Sequence, residues 1–300
     1  MQISRRAFGL GVLGTAAIST LPGCASSLMG SGEMAIDTHA HVFKRGLKLA
    51  NVRRYAPDYD ATLADYLQVL DANGMTHGVL VQPSFLGTDN SFMLEALRAE
   101  PRRLRGIAVV NPDIPVAELI EMAQAGVVGI RLNWVGGVRI PDFTSGPWPR
   151  FLANLVKLDW QVEIHREAKD LKAVMEPLLK AGVKVVVDHF GRPDGKLGVN
   201  DPGFRYLLST AQTRRVWVKI SGAYRNGKGG AGEATALAAI PLLKETFGLD
   251  RLVWGSDWPN TAFEKTITYP AMRKQLDSWL PDPAERKIVL AQTPAQLFRF

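Results

Sequence analysis

Val183-Lys184-Val185-Val186-Val187-Asp188-His189 is a short, nearly continuous apolar run that ends in an acid and an imidazole. Such a run suits a strand buried on both faces, which a parallel sheet covered by helices provides. A helix-like stretch, 168–181, precedes it and another, 202–213, follows it. Working outward, the same unit recurs along the chain. Strands are predicted over residues 35–40, 78–82, 106–111, 127–133, 161–165, 183–189, 216–221 and 252–256. Helical stretches are predicted over 61–73, 91–100, 116–125, 148–157, 168–181, 202–213, 232–247 and 263–280, with further ones over 283–290 and 295–300. Alternating strands and helices joined by right-handed crossovers close into an α/β fold, the (β/α)8 TIM barrel. An open doubly wound sheet would carry a Gly-rich phosphate turn after its first strand, and none follows residue 40.

Composition supports one ordinary globular domain. Of 300 residues, 46% are hydrophobic and 22% charged, which excludes disordered, collagen-like and coiled-coil chains. The net charge is +7, but lysines and arginines are scattered, which argues against a nucleic-acid partner. The single cysteine, Cys24, excludes an internal disulfide framework and any cysteine-rich metal site. Residues 1–25 contain Ser4-Arg5-Arg6-Ala7-Phe8, a twin-arginine pattern, followed by a mildly apolar run too short to span a membrane. The segment reads as an export signal engaging the twin-arginine machinery, with 26–34 as a linker and 35–300 as the barrel. The mature protein is expected to be exported to the periplasm. Leu21-Pro22-Gly23-Cys24 resembles a lipoprotein box, making Cys24 a lipidation candidate and a lipid anchor the one expected membrane contact. Gly23-Cys24-Ala25 also suits an ordinary signal peptidase.

In a (β/α)8 barrel, chemistry gathers at the C-terminal ends of the strands. His39 and His41 close the first predicted strand, His165 the fifth and His189 the sixth, while Asp257 follows the eighth. His77 alone precedes a strand, at the opposite face. Imidazoles at i and i+2 point the same way from a strand, so His39 and His41 can grip one ion. His165 and Asp257 are expected to complete the shell of a single divalent metal, with Zn²⁺ favoured by the N/O donor set. No lysine or glutamate within 127–133 offers a bridging ligand, which disfavours a two-metal site.

Three motifs resemble a known family. Asp37-Thr38-His39-Ala40-His41-Val42-Phe43, Val186-Val187-Asp188-His189-Phe190-Gly191-Arg192-Pro193 and Gly255-Ser256-Asp257-Trp258-Pro259 are similar to those of the amidohydrolase-related metal-dependent hydrolases, which are (β/α)8 barrels. Val81-Gln82-Pro83-Ser84, Gly87-Thr88-Asp89-Asn90, Gly129-Ile130-Arg131-Leu132-Asn133 and Lys219-Ile220-Ser221-Gly222 bring the chain nearest to the 2-pyrone-4,6-dicarboxylate lactonase-like group. The resemblance runs from about Ile36 to Phe300. It implies hydrolysis of a lactone or carboxylic ester of a small carboxylated acid. Two departures stand out. The group's dicarboxylate lactonase works without a metal and carries a tyrosine where this chain has His165, and a second carboxylate-binding arginine where it has Gly137.

The expected mechanism is attack of a metal-activated water on the carbonyl, with Asp257 as proton acceptor and His189 stabilising the oxyanion or assisting proton transfer. A metal-free version keeps Asp257 as base and gives the histidines to carbonyl polarisation. Arg131, Arg192 and Arg225 are candidates to hold a substrate carboxylate. Tyr55, Gln82, Ser84, Lys219 and Ser221 are candidates to line the pocket. Two alternatives remain open at this level: a metal-dependent decarboxylase on the same ligands, and a periplasmic solute-binding protein.

Overall fold

The computed structural model describes residues 33–300. The segment 1–25, Cys24 and most of the linker 26–34 lie outside the described residues. Eight strands alternate with helices: β1 (Ile36–Ala40), α1 (Leu63–Ala72), β2 (His77–Val81), α2 (Ser91–Ala99), β3 (Leu104–Ala108), α3 (Val116–Gln124), β4 (Val127–Asn133) and α4 (Trp148–Lys157) form the first half. The second half is β5 (Gln161–His165), α5 (Leu171–Lys180), β6 (Lys184–Val187), α6 (Pro202–Ser209), β7 (Val216–Ile220), α7 (Ala231–Phe247), β8 (Leu252–Trp254) and α8 (Tyr269–Trp279). A short α9 (Pro283–Lys287), a π turn and α10 (Thr293–Phe298) end the chain. The strands follow one another in the sheet in sequence order, each parallel to the next. The fold is the (β/α)8 barrel.

The barrel closes between β1 and the segment after β8. Ala40 bridges Trp258 in parallel, Asp257 N donates to the His39 carbonyl and His41 N to the Trp258 carbonyl, both at 2.8 Å. Beneath them the Asp37 carboxylate accepts from Ser256 N at 2.8 Å and Ser256 Oγ at 2.6 Å. Burial pushes the Asp37 carboxyl up to about 6, against these hydrogen bonds.

Each of the eight outer helices presses a fully buried leucine against the sheet: Leu70, Leu97, Leu119, Leu155, Leu178, Leu207, Leu243 and Leu276. At about 1.5–3 kcal/mol for each such side chain, this ring is a main source of the fold's stability. At the N-terminal end, Ile36, Val79, Ile107, Val128 and Val253 pack with Leu297 and Phe298 of α10, which plugs that end. The His77 ring lies 5.0 Å from that of Phe300, on the face opposite the other histidines. Farther along the axis the filling is charged: Arg131, Glu163, Asp188 and Lys219 are all buried.

Local signals explain several helix starts. Thr62 and Asp65 form a reciprocal capping box before α1, while Asp201 with Pro202, and Asp282 with Pro283, start α6 and α9. Several expected elements prove shorter. The helix predicted from 263 begins only at Tyr269, where Thr268 caps it and Pro270 sits in the first turn. β3 runs two to three residues earlier than predicted, at Leu104–Ala108. The predicted sixth and eighth strands stop at Val187 and Trp254, so His189 and Asp257 stand in turns with φ of 51° and 60°. Left-handed non-glycine residues are sparsely populated and gather at functional sites.

Candidate active site

At the C-terminal face four imidazoles form a chain of ring contacts. His39 lies 5.0 Å from His41 and from His189, and His165 lies 5.0 Å from His189. Close packing without a Cβ makes room for them. A Cβ on Gly222 (φ 55°) would sit 2.7 Å from His189 Nδ1, and one on Gly255 would sit 2.5 Å from the His39 Cβ.

Hydrogen bonds decide what each ring can offer. His41 Nδ1 is 2.7 Å from the Val81 carbonyl, which can only accept. That nitrogen therefore carries a proton, and Nε2 is the ring nitrogen turned toward the site. His189 Nδ1 is held by Ser221 Oγ at 2.9 Å. The Nε2 atoms of His39, His165 and His189 are buried and meet no hydrogen-bond partner among the described residues. Burial pushes His189 down to about 3, although Asp257 and Asp188 oppose this. Burial, aided by Lys219 at His39 and Arg131 at His165, holds those rings well below the usual histidine range. All three are neutral at pH 7.

Asp257 is asymmetric. Its Oδ2 accepts from the Tyr224 hydroxyl at 2.6 Å and from Arg225 Nε. Its Oδ1 faces His39 Nε2 at 3.7 Å and His41 Nε2 at 3.6 Å. Burial alone would raise this carboxyl, but Arg225, followed by His189 and His41, holds it well below the usual carboxylate range. One oxygen is locked and the other is a free anionic acceptor at the histidine cluster.

Among the described residues two sets of ligand atoms come within 4.8 Å of one another: His39, His41 and Asp257, and His39, Asp188 and His189. The first set fits a divalent cation, since it combines a buried Nε2 lacking a partner, a second Nε2 turned to the site by the bond from its Nδ1 to the Val81 carbonyl, and an ionised carboxylate. His165, expected as the third histidine ligand, belongs to neither set. Its Nδ1 lies 3.2 Å from Arg131 Nη2 and from Asn133 Oδ1 of β4, accepting from the first in one tautomer or donating to the second in the other, with the ring edge-on to His189.

Three of the expected substrate contacts are otherwise engaged. Arg131, 3% exposed, is bound to Asp188 at 2.8 Å. The fully buried Lys219 ammonium reaches Glu163 at 2.8 Å, His39 Nδ1 at 3.0 Å and Asp188 at 3.2 Å. Two cations and two carboxylates thus neutralise each other beneath the histidines, as buried charges must. Lys219 and Arg131 overcome burial and keep Asp188 well below the normal range, whereas burial lifts Glu163 to about 7 against Lys219. The Gln82 amide donates to the carbonyls of Asp89 (2.7 Å) and Gly87 (3.3 Å), bracing its own loop.

The other expected residues rim the site. Ser221 orients His189 as described, Ser84 Oγ is buried at the start of a 3-10 turn, and the Tyr55 ring lies 5.6 Å from that of Phe85. Arg192 makes no side-chain hydrogen bond or ion pair with a described residue. It shares with Arg225, Glu167, Lys169, Leu197 and Tyr206 the lining of a cavity of about 650 Å³ that the histidines do not line and that Arg225, bonded to Asp257, links to the site. Sequence reasoning missed Asp188, Glu163 and Tyr224. Asp188 had a readable signal, an acid closing the valine run, whereas Glu163 and Tyr224 had none.

The family profile described as amidohydrolase matches residues 36–300. A 4-sulfomuconolactone hydrolase of Rhizobium radiobacter is 32% identical over 274 residues, covering 88% of this chain and 89% of that protein. A 2-pyrone-4,6-dicarboxylate hydrolase of Comamonas testosteroni is 35% identical over 238 residues, covering 75% of this chain and 77% of that protein. A solved structure from Acinetobacter baumannii, described as a 2-pyrone-4,6-dicarboxylic acid hydrolase with citric acid bound, superposes with a TM-score of 0.86 at 42% identity, covering 89% of this chain and 99% of that one.

Proposed function

The chain belongs to the amidohydrolase family and is an enzyme of that kind; from this premise we propose that it hydrolyses a lactone or carboxylic ester of a small, carboxylated organic acid. One observation carries the reading. A buried, ionised aspartate presents a single free oxygen among imidazoles at the C-terminal mouth of the barrel. Lactone hydrolysis needs a proton acceptor beside an electrophile-binding pocket, and this arrangement supplies both.

A divalent cation, with zinc favoured by the donors, would be held by His39, His41 and Asp257, and would supply carbonyl polarisation and a more acidic water. The remaining work falls to the chain's own groups. Where Asp257 Oδ1 carries no cation, it takes a proton from water as the oxygen bonds to the carbonyl carbon. The His189 Nε2 edge, oriented by Ser221, faces the developing oxyanion. As the ring C–O bond breaks, the proton on Asp257 passes to the leaving oxygen, so that water is consumed and one new carboxylic acid appears. Arg192, lacking an acidic partner among the described residues, is free to pair with a substrate carboxylate. Arg225 does so only from the guanidinium edge that Asp257 leaves open.

The test is acid release from a panel of lactones and carboxylated esters, followed by pH indicator with metal-quantified protein. Turnover of a carboxylated lactone is expected, falling about 10²–10⁴-fold in Asp257→Asn. No acid release across the panel by metal-loaded protein would overturn the proposal.

A further inference from the structure

Arg54 lies on the exposed loop between β1 and α1, far in sequence from every strand-end motif. It nevertheless reaches across the barrel mouth, where its Nη2 donates to Asn133 Oδ1, at the end of β4, at 3.2 Å. The side chain passes over the loop after β4, where a Cβ on Gly136 (φ 89°) would be in ordinary contact with it, 3.9 Å from Arg54 Cδ. The Arg54 guanidinium carbon also stands 5.6 Å from the centre of the neighbouring Tyr55 ring.

The charges around this guanidinium do not balance. Burial lowers its pKa, and the nearby Arg131 and Arg225 lower it further. Burial likewise brings Arg192 down to about 10, with Arg225 and Arg54 contributing. Against this cluster stand Asp188, paired with Arg131, Asp257, engaged by Arg225, and Glu167. Glu167 spends Oε1 on Gly136 N at 2.9 Å, while its Oε2 lies 3.5 Å from Arg166 Nε. Arg54 has no carboxylate partner among the described residues, and neither has Arg192. A guanidinium without a carboxylate partner, held at the end of β4, is a ready site for an anion.

Resting on the hydrolase reading above, we infer that Arg54, anchored on Asn133 at the end of β4, is a specificity-determining residue that binds an oxyanion of the substrate remote from the scissile carbonyl. The anion is a carboxylate or a sulfonate, both of which the planar fork of arginine can hold through paired hydrogen bonds. Arg54 thereby selects acidic lactones over neutral ones of the same shape. The anchoring bond to Asn133 keeps the side chain extended over the mouth, so less rotamer freedom is lost on binding.

The experiment compares wild type with Arg54→Gln and Arg54→Lys on three lactones of matched ring: one carboxylated, one sulfonated and one carrying the methyl ester. The preference in kcat/KM for an acidic over the neutral lactone falls about tenfold or more in Arg54→Gln, mainly through KM, and recovers in part in Arg54→Lys. The arm that loses its preference identifies the anion. An unchanged preference in both acidic arms overturns the inference. If wild type turns over no lactone, the hydrolase reading falls by itself, and calorimetric titration with glutarate tests Arg54 separately. Glutarate binding about tenfold weaker in Arg54→Gln supports the clamp, and equal behaviour of the two proteins overturns it.

Discussion

Replacing Arg225 with methionine should convert Asp257 from a permanently ionised group into one that titrates within reach of ordinary buffers. Arg225 is 12% exposed and Asp257 1%, so the pair is nearly dry and the variant keeps the aliphatic volume while deleting the charge. Two unit charges at hydrogen-bond distance attract by about 5 kcal/mol at an effective dielectric near 20. A neighbouring arginine typically depresses an aspartate by about 1–3 pKa units. With Arg225 gone, burial still raises the carboxyl, and Tyr224, His189 and His41 offset it only in part. The sign then follows. In the wild type the depressed pKa keeps Asp257 an anion, so the rate holds as the pH falls toward the folded value. In the variant the rate fails as the pH falls through the raised value, and the acid limb of kcat/KM moves up by about 1–3 pH units. Stability moves with it. A depressed carboxyl stabilises the fold at all pH values above its unfolded pKa, and that contribution is lost in the variant. Breaking a buried pair costs about 3–5 kcal/mol, and each kcal/mol lowers the melting point of a domain this size by about 2–4 °C. The assay is a pH–rate profile of both proteins beside thermal melts at pH 7. A lower melting point with an unmoved acid limb would refute the reasoning, because Arg225 would then support the fold without setting the ionisation that gates turnover.

Two other substitutions separate architecture from chemistry. Gly222→Ala places a methyl group 2.7 Å from His189 Nδ1 at a left-handed backbone position, so kcat should fall about 10- to 100-fold as the imidazole shifts, with circular dichroism retaining the wild-type signal. Lys219→Met leaves Glu163 and Asp188 facing each other without their shared cation, and should lower stability by about 3–5 kcal/mol in urea melts at pH 7.

The barrel could be read from sequence because its signals are local and repeated. Valine runs such as the one ending at Asp188 announce doubly buried strands, and Thr62, Asp201 and Asp282 announce helix starts through their capping hydrogen bonds. The histidines were equally legible, since an imidazole at a strand end has few reasons to be there. The charged residues were not. Arg131 and Lys219 sit in strand-end motifs, and by position alone they are indistinguishable from groups that meet substrate. Only the radial direction of the side chains sends them inward, to Asp188 and Glu163. His165 lies outside both ligand sets for a related reason, because strand periodicity gives its side but not the contacts that Arg131 and Asn133 make with its Nδ1. Arg54 was invisible to any motif, since its partner lies 79 residues away across the mouth.

The seam where the barrel closes has a consequence for the order in which the molecule is made. His39 and His41 belong to the first strand and Asp257 to the turn after the last, and the contacts joining them, Asp37 to Ser256 among them, link positions 219 residues apart. A nascent chain that has emerged only as far as α7 carries every histidine of the cluster and Asp188, but not Asp257, whose Oδ1 faces His39 and His41. Long-range closures of this kind come late, because their loop entropy must be overcome before they yield any contact energy. The active centre is therefore also the clasp of the fold, and the onset of turnover during refolding reports the moment the ring of strands shuts.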